Sequence, residues 1–384
     1  MKIKLARNEI REILFYCILI LPFLNEKIFF YNKTIVNMLK ILAASYFTIN
    51  LIKDMKNLKL EKIDLLLILF SLYSFFITIY NSLFSFGVFF SLYFLVISIL
   101  FLKKSIIKND YSYLKALYIA HNLLLLVNLP SLITQLSVSE YNRMFFLGGK
   151  NALTLFCIMT IFYNYTISYL LHEKGKLKYA FFISLAIMTV ILGGSSTGLV
   201  IMMGMALVIF LNKKIKFNSY LLYSIYIVVF FILMNSDIIA KIPFIHRFIT
   251  ETLGKDLTFT HRTIIWQRSL FYIGQNIWGF GLGNSILLRD LYYLNINECH
   301  NMIIQLLFDG GIISLLLFIA YFISCNNKSK GSKNKSLVNF LKYTIFIVFL
   351  LGLTESISYK IDLWYLFVIL SVSQYIKEGK NEKN

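Results

Sequence analysis

The chain has 384 residues, of which 58% are hydrophobic and only 15% charged, and its mean hydropathy is +0.71. These values are typical of a polytopic membrane protein and exclude an ordinary soluble domain. The net charge of +19 is spread along the chain in short clusters. Nucleic-acid binding needs basic residues gathered on one face, so no nucleic-acid partner is expected.

About twelve apolar runs, each near the roughly 20 residues that cross a bilayer, follow one another along the chain. They lack the alternating pattern of outer-membrane strands, so we expect an all-α, polytopic membrane helix bundle that forms one domain over residues 1–384. The first run has no Ala-x-Ala cleavage site after it, which indicates an uncleaved helix. The runs lie near 13–25, 35–52, 63–80, 83–102, 111–137, 151–171, 178–193, 195–211, 219–236, 301–324, 338–353 and 357–376.

Lysine and arginine concentrate in every second break between these runs. The positive-inside rule therefore predicts that both termini face the cytoplasm, with the long loop at about 237–300 outside the cytoplasmic (inner) membrane. The basic clusters lie at 2–11, 53–62, 103–108, 174–178, 213–216, 328–335 and 377–383.

Two polar features interrupt the first half of the chain. His121 lies inside the fifth run, where a buried core histidine is the expected role. Gly193-Gly-Ser-Ser-Thr-Gly198 falls at a predicted external junction, where small residues favour close helix contact and a tight turn. The alternative is that amides at the start of the next helix contact a phosphate.

The long loop collects most of the polar chemistry. His261–Ile273 is predicted to form a short amphipathic helix on the membrane surface, with Arg262, Trp266 and Ser269 on one face and Trp266 at headgroup depth. Arginine suits a diphosphate because it is always charged and binds in a bidentate manner, which indicates a lipid-linked anionic substrate. The polar positions are Arg247, His261, Arg262, Trp266, Arg268, Gly279-Phe-Gly-Leu-Gly283, Arg289 and Glu298-Cys-His300-Asn301.

Of the four cysteines, only Cys299 is predicted to lie outside, without a partner, so no disulfide is expected. Cys299 and His300 lack the second Cys/His pair that a zinc site needs, so no metal is expected either. The glycine run does not have the spacing of a dinucleotide-binding loop. We therefore expect no cofactor.

Acidic residues lie in or beside the last three apolar runs. Asp309 lies nine residues into the tenth run, ~13 Å along a helix, where a carboxylate faces a protein cavity or a partner. Glu355 is at the external end of the eleventh run. Lys360 and Asp362 are at the external start of the twelfth.

Several motifs, taken in order, resemble those of the O-antigen polymerase (Wzy) and O-antigen ligase superfamily over roughly residues 140–376. They are Arg143-Met-Phe-Phe-Leu-Gly-Gly-Lys-Asn151, Gly194-Ser-Ser-Thr-Gly198, Arg262-x-x-x-Trp266, Gly279-x-Gly281-x-Gly283, His300-Asn301 with Leu306-Leu-Phe-Asp309-x-Gly311, and Leu353-Thr-Glu355.

The resemblance implies metal-independent glycosyl transfer from an undecaprenyl-diphosphate-linked oligosaccharide, on the outer side of the cytoplasmic membrane. It implies that Arg262 holds the diphosphate and that His300 acts as the general base. A chain-length regulator, a flippase and the lipid bilayer are the implied partners. The implied substrate-binding residues are Arg143, Asn151, Trp266, Arg268, Arg289, Asn301 and Glu355.

Three functions remain open. In a polymerase the acceptor is another lipid-linked repeat unit of O-antigen or capsule, and in a ligase it is lipid A-core. Ligases often carry an arginine in the serine-rich junction, where this chain has Ser196 and Thr197, which favours the polymerase. A flippase or transporter shares the composition, but transporters place their sites at mid-membrane and often have two repeated halves.

Overall fold

The computed structural model describes residues 7–25, 32–54, 60–138, 143–171, 176–211, 218–235, 262–284 and 298–376, and the single residues Pro243, Arg247 and Glu251. This part of the chain is almost wholly helical and contains thirteen α-helices. A two-stranded antiparallel ribbon, which pairs Met144 with Gly149, precedes the sixth helix.

Each of the twelve apolar runs coincides with one helix, and the tenth helix is the amphipathic one predicted in the long loop. The helices are α1 Arg7–Leu24, α2 Lys33–Lys53, α3 Lys62–Tyr80, α4 Phe86–Ile107, α5 Ser112–Gln135, α6 Lys150–Leu171, α7 Lys176–Gly193, α8 Ser196–Leu211, α9 Ser219–Met234, α10 Arg262–Gln275, α11 Met302–Lys328, α12 Lys335–Gly352 and α13 Ile361–Ser371. The strands are β1 Met144–Phe145 and β2 Gly148–Gly149, and a 3-10 turn spans Ser329–Gly331.

Seven helices within the described ranges are long and apolar enough to cross a membrane, namely α2 to α6, α11 and α12. Four shorter apolar helices, α7, α8, α9 and α13, have 10–17 residues in their apolar part, less than the roughly 20 that a full crossing needs. The all-α, polytopic membrane fold is thus confirmed, although fewer helices qualify by length than the twelve predicted.

The core of the bundle lies around α6. Of its apolar span, 83% is buried inside the protein, against 22% for α2. α6 packs against α5, α7, α8 and α12, and α13 adds a helix that is buried along most of its length. Helices whose apolar side chains are largely exposed, such as α2, therefore form the rim of the bundle.

Helix ends next to the lysine-rich breaks meet at one end of the bundle. Lys103 of α4 is buried there between Glu61 (2.6 Å) and Asp64 (2.7 Å) at the start of α3. Lys328 at the end of α11 also contacts Glu61. Further ion pairs at this end join Lys104 and Lys108 to Asp54, and Lys115 to Glu9.

At the opposite end, α11 is discontinuous. Gly311 has φ 61° and ψ −165°, which interrupts the helical hydrogen bonds of α11. The glycine run of the long loop replaces them: the amide of Phe280 donates to the carbonyl of Phe308, and that of Gly281 to the carbonyl of Asp309, each at 2.8 Å. A helix break at membrane depth needs such partners, because no water is there to satisfy the freed backbone.

The same contact explains why a glycine occupies position 279. Its φ is +102°, and a Cβ built there would lie 2.6 Å from the amide nitrogen of Gly311 and 2.7 Å from the carbonyl of Asp309. On the other side of the break, the amide of Ile312 donates to Ile277 at 2.9 Å. The backbone of the glycine run therefore packs into the break in α11 and forms hydrogen bonds with the carbonyls there.

Candidate active site

Helix α10 presents Arg262 at its first turn. The face with Thr263, Ile265, Trp266 and Ser269 is buried, and α10 packs against α11. Trp266 is 1% exposed, and its indole nitrogen donates to the main-chain carbonyl of His300 at 3.3 Å. This face therefore covers protein rather than lipid, so Trp266 does not contact the headgroups, and its depth in the membrane stays a prediction.

Arg262 forms an ion pair with Glu355 in the turn after α12. The Arg262 Nη2 to Glu355 Oε1 distance is 2.6 Å, and each side chain is 14% exposed. Burial raises the pKa of Glu355 to about 7, although the charge of Arg262 acts in the opposite direction. The pair therefore joins the long loop to the 353–360 turn with a carboxylate that titrates near neutrality.

Asn151 extends this pair into the bundle. It hydrogen-bonds the Glu355 carboxylate, and its amide oxygen accepts a hydrogen bond from the hydroxyl of Ser195 at 2.8 Å. Ser195 in turn caps α8 by accepting from the amide of Gly198 at 3.0 Å. Four of the motifs recognised in the sequence thus lie in one hydrogen-bonded chain.

The serine-rich junction itself is a close helix contact. A Cβ on Gly198 would lie 2.5 Å from the hydroxyl of Thr154 on α6 and 2.8 Å from Val190 on α7. Gly194 turns the chain with φ 72°. The interpretation of this motif as small residues that permit tight packing is confirmed.

His300 precedes α11 and adopts a left-handed backbone conformation, with φ 48°. Burial and the nearby charge of Arg262 lower its pKa to about 4. Its Nδ1 atom is buried and has no hydrogen-bond partner among the described residues. At neutral pH the imidazole is uncharged, and it is therefore able to accept a proton.

Asn301 fixes the start of α11. Its amide oxygen accepts from the backbone amides of Ile303 and Ile304, and its amide nitrogen donates to the carbonyl of Leu353 at 2.9 Å. The side chain is fully buried. Asn301 therefore positions His300 relative to the turn that carries Glu355.

Gln305, which the sequence analysis did not single out, makes a second such link. Its amide oxygen accepts from the amide of Cys299 at 2.7 Å and from the hydroxyl of Ser356 at 2.9 Å. Its amide nitrogen donates to Asp309 Oδ2 at 2.8 Å. Asp309 thus has a protein partner, as predicted for a carboxylate in a helix. In the sequence, the spacing of four residues between Gln305 and Asp309 could have indicated this contact, because it places both side chains on one face of a helix.

Two adjoining cavities lie beside these residues, with volumes of about 320 and about 360 Å³. The first reaches Asn151, Glu355 and Asp362, and the second reaches Gln305 and Asp309. Arg262 is linked to the first cavity only by its ion pair with Glu355, and neither Arg262 nor His300 is among the residues that line the two cavities. Residues that line both cavities are Ser91, Glu298, Ser356, Tyr359 and Lys360.

Two predicted arginines among the described residues, Arg143 and Arg268, are not part of the ion pair. The guanidinium of Arg143 donates to the carbonyls of Val138 (3.0 Å), Leu192 (3.2 Å) and Leu136 (3.3 Å), and so caps the ends of α5 and α7. Arg268 is exposed on α10. Arg289 and His261 lie outside the residues that the structure describes.

His121 is buried inside the bundle, as predicted. Its Nδ1 donates to the carbonyl of Leu117 at 2.8 Å, and its Nε2 lies 3.4 Å from Asp362 Oδ1. The sequence located Asp362 at the start of the last helix but assigned no role to it. Only the fold brings it to a cavity wall, next to a histidine from α5.

The cysteines are free and buried in the described part of the chain, and burial raises the pKa of the Cys299 thiol. In the same ranges, no three His, Cys, Asp or Glu side chains come together as a metal site requires.

Residues 180–319 match the protein family described as O-antigen ligase. This segment contains the serine-rich junction, Arg262, the glycine run, His300 and Asn301, whereas Arg143, Asn151 and Glu355 lie outside it. No curated protein matches the chain. This segment is thus similar to that family, and the match supports the resemblance of the motifs to the O-antigen polymerase and ligase superfamily.

Proposed function

We propose that the protein polymerises lipid-linked oligosaccharide repeat units of O-antigen or of a capsular or other surface polysaccharide. The growing glycan moves from undecaprenyl diphosphate to a sugar hydroxyl of another lipid-linked repeat unit. The whole chain acts as one membrane domain, and the reaction takes place at the outer side of the cytoplasmic membrane.

The arrangement of Arg262 carries the proposal. The guanidinium of Arg262 is paired at 2.6 Å with Glu355, which lines the first cavity, and its charge acts on the uncharged imidazole of His300, at the bundle end opposite the lysine clusters. A cation, a base and a cavity are what transfer from a diphosphate requires. The family match over 180–319 supports the same chemistry.

The proposed reaction is a displacement at the anomeric carbon of the donor. The acceptor oxygen forms a bond to this carbon, and the bond from the carbon to the diphosphate oxygen breaks. The electron pair of the broken bond leaves with undecaprenyl diphosphate, and Arg262 neutralises the charge that develops there. The proton of the acceptor hydroxyl passes to His300. Diphosphate is a good leaving group, so we propose that no metal takes part.

Donor binding has to compete with Glu355 for Arg262. A diphosphate offers more negative charge and a bidentate match to the guanidinium, which favours the exchange. Glu355 keeps Asn151 as a hydrogen-bond partner when Arg262 turns away. Because the pKa of Glu355 is already raised to about 7, its carboxyl is readily protonated once the arginine has left.

The remaining predicted residues take supporting roles in this proposal. Trp266 and Asn301 hold the backbone around His300, and Asn151 orients Glu355. Arg268 and Arg289 are proposed as further donor contacts from the long loop. For Arg143, contact with the substrate stays a prediction, since its guanidinium is bound to three carbonyls.

The proposed topology has a direct test. Lys330 and Gln267 are exposed, at the lysine-rich end and on α10 respectively. In a cysteine-free background, Gln267→Cys should react with an impermeant thiol reagent in intact cells, and Lys330→Cys only after permeabilisation. Equal reactivity in intact cells would contradict the orientation.

The description of the matching family as O-antigen ligase favours the ligase as the second candidate. The surface glycan of a deletion strain distinguishes the two. A polymerase deletion should leave single repeat units attached to lipid A-core. A ligase deletion should leave lipid A-core without any, while polymer accumulates on undecaprenyl diphosphate.

The break in α11 is the observation that favours a transporter, since discontinuous helices commonly line transport sites. Here the glycine run fills the break with protein backbone. A transporter deletion should leave repeat units on the cytoplasmic side, and lipid-linked single units on the outer side would argue against it.

A further inference from the structure

Asp362 lies in the first turn of α13 and lines the first cavity with a side chain that is 12% exposed. Its Oδ1 atom has no hydrogen-bond partner among the described residues. A carboxylate has about four acceptor positions, so beyond its contact with His121 this side chain is able to accept hydrogen bonds from a ligand in the cavity.

His121 contacts Asp362 on the side away from the cavity. Because Nδ1 of His121 donates to the carbonyl of Leu117, the ring orientation is fixed and Nε2 is directed at Asp362 Oδ1, 3.4 Å away. The imidazole stacks on Phe156, with the ring centres 4.8 Å apart and the planes at 17°. Phe156 also lines the cavity, so a carboxylate and an aromatic ring are presented together.

The charged groups of this wall are mostly acidic. Glu298, Glu355 and Asp362 line the first cavity, with Lys360 as the cation in the same wall, and Arg262 is paired with Glu355. Hydroxyl and ammonium groups satisfy such a wall. A carboxylate on the ligand would face like charges at short range.

The size and the apolar part of the wall limit the ligand further. A volume of about 320 Å³ lies at the small end of ligand sites, which run from roughly 300 to 1,000 Å³. Phe23, Phe94 and Phe156 supply apolar surfaces that suit the faces of a sugar ring. The adjoining cavity of about 360 Å³ leaves room for a neighbouring residue of the glycan.

We propose that the first cavity is a sugar-binding subsite, that it takes an uncharged or amino-bearing pyranose in preference to a uronic acid, and that Asp362 sets this specificity by accepting hydrogen bonds from the sugar. That the sugar belongs to a glycan substrate rests on the proposed glycosyl transfer, whereas the preference for uncharged or amino sugars is a property of the cavity alone.

The test is binding, without donor and without turnover. The full-length protein in lipid nanodiscs is titrated with methyl glucoside, methyl glucosaminide and methyl glucuronide, and saturation-transfer NMR reports the affinities. We expect the first two to bind, and the glucuronide to bind at least about tenfold more weakly because of the carboxylates in the wall.

Two variants assign the preference to the wall. Asp362→Asn keeps the size of the side chain but removes its charge, and it should shrink the difference between glucoside and glucuronide several-fold. Glu298→Gln makes the same change at an exposed position, where folding is not at stake, and should act in the same direction. Asp54→Asn, the same substitution at the opposite end of the bundle, is the control and should leave the ranking unchanged.

Binding of the glucuronide as strongly as the glucoside would overturn the proposal. So would an unchanged ranking in both cavity variants, or no binding of any of the three glycosides. These outcomes are distinct from a failure of the proposed function, which the glycan pattern of the deletion strain reports. Because binding is measured without turnover, the sugar preference is tested whether or not the protein is a polymerase.

Discussion

Arg262 Nη2 lies 2.6 Å from Glu355 Oε1, across 93 residues of sequence, and both side chains are largely buried. This contact joins the first turn of α10 to the turn after α12. A buried ion pair adds little net stability, since desolvation offsets the attraction. The pair instead orients the guanidinium beside a residue that lines the first cavity, where the diphosphate of the proposed donor would replace the carboxylate.

The pKa of Glu355 gives the first prediction. The pKa is raised from its ordinary value of 4.5 to about 7, so below 4.5 the stability that the protonated group contributes is fully present, and it is lost as pH rises through about 7. Glu355→Gln mimics the protonated form at every pH. Its melting temperature relative to wild type should therefore increase between about pH 5 and about pH 8. A flat difference, or the same trend in the control Glu9→Gln at the other end, would count against this account.

His300 gives the second prediction. Its imidazole should titrate with a pKa of about 4, because burial and Arg262 both disfavour the charged ring. NMR of protein labelled in its five histidines, with His300→Gln for assignment, measures this value directly. Arg262→Gln should move the pKa upward, since one of the two causes is removed. Titration near the ordinary 6.5 in the wild type would mean that His300 is neither buried nor close to Arg262.

The sequence predicted each helix that the described residues form, because an apolar run near membrane length leaves the backbone no other way to satisfy its hydrogen bonds. It also predicted α10 and its shared face of Arg262, Trp266 and Ser269. It did not predict what that face covers, since an apolar pattern does not distinguish lipid from α11. Trp266 packs inside the protein and does not face the lipid.

Contacts between residues far apart in the chain could not be predicted from the sequence. Gly279 and Gly311 are each recognisable as helix breakers or turn residues, but their fit to each other is visible only in the fold. Asp362 and His121 come from helices far apart in the chain. Arg143 was predicted to contact substrate, because a sequence gives no indication that three main-chain carbonyls already surround the guanidinium.

The close approach of Gly279 to the break in α11 gives the third prediction. Gly279→Ala should lower the melting temperature by several degrees, because the new Cβ would meet the backbone of Asp309 and Gly311, and a positive φ adds roughly 1–3 kcal/mol of strain. At Gly283, φ is +88° and a built Cβ has no atom within 4 Å, so Gly283→Ala measures the backbone strain without a steric contact. Gly274→Ala, with open space and no positive φ, should be neutral or slightly stabilising. Equal effects of the Gly279 and Gly283 variants would show that the contact with α11 is unimportant.

The buried ion cluster at the lysine-rich end gives the fourth prediction. Lys103→Met removes the cation that pairs with Asp64, and leaving this buried carboxylate unpaired should cost about 3–5 kcal/mol of stability, whereas the more exposed Glu61 keeps Lys328. Lys108→Met, at a half-exposed position paired with Asp54, is the matched control and should barely shift the melting temperature. Comparable losses in the two variants, measured by thermal unfolding in detergent, would contradict the assigned role of burial.

The fifth prediction concerns catalysis and tests the central claim most directly. Purified protein in nanodiscs is incubated with lipid-linked single repeat units isolated from the organism that makes the protein, without lipid A-core. The products are then separated by length. The wild type should yield a ladder of polymer. His300→Gln should bind the donor and keep its melting temperature, yet slow the ladder by at least about 10²-fold. Arg262→Ala should nearly abolish it. A ladder formed at the wild-type rate by either variant, or no wild-type ladder until lipid A-core is added, would contradict the account.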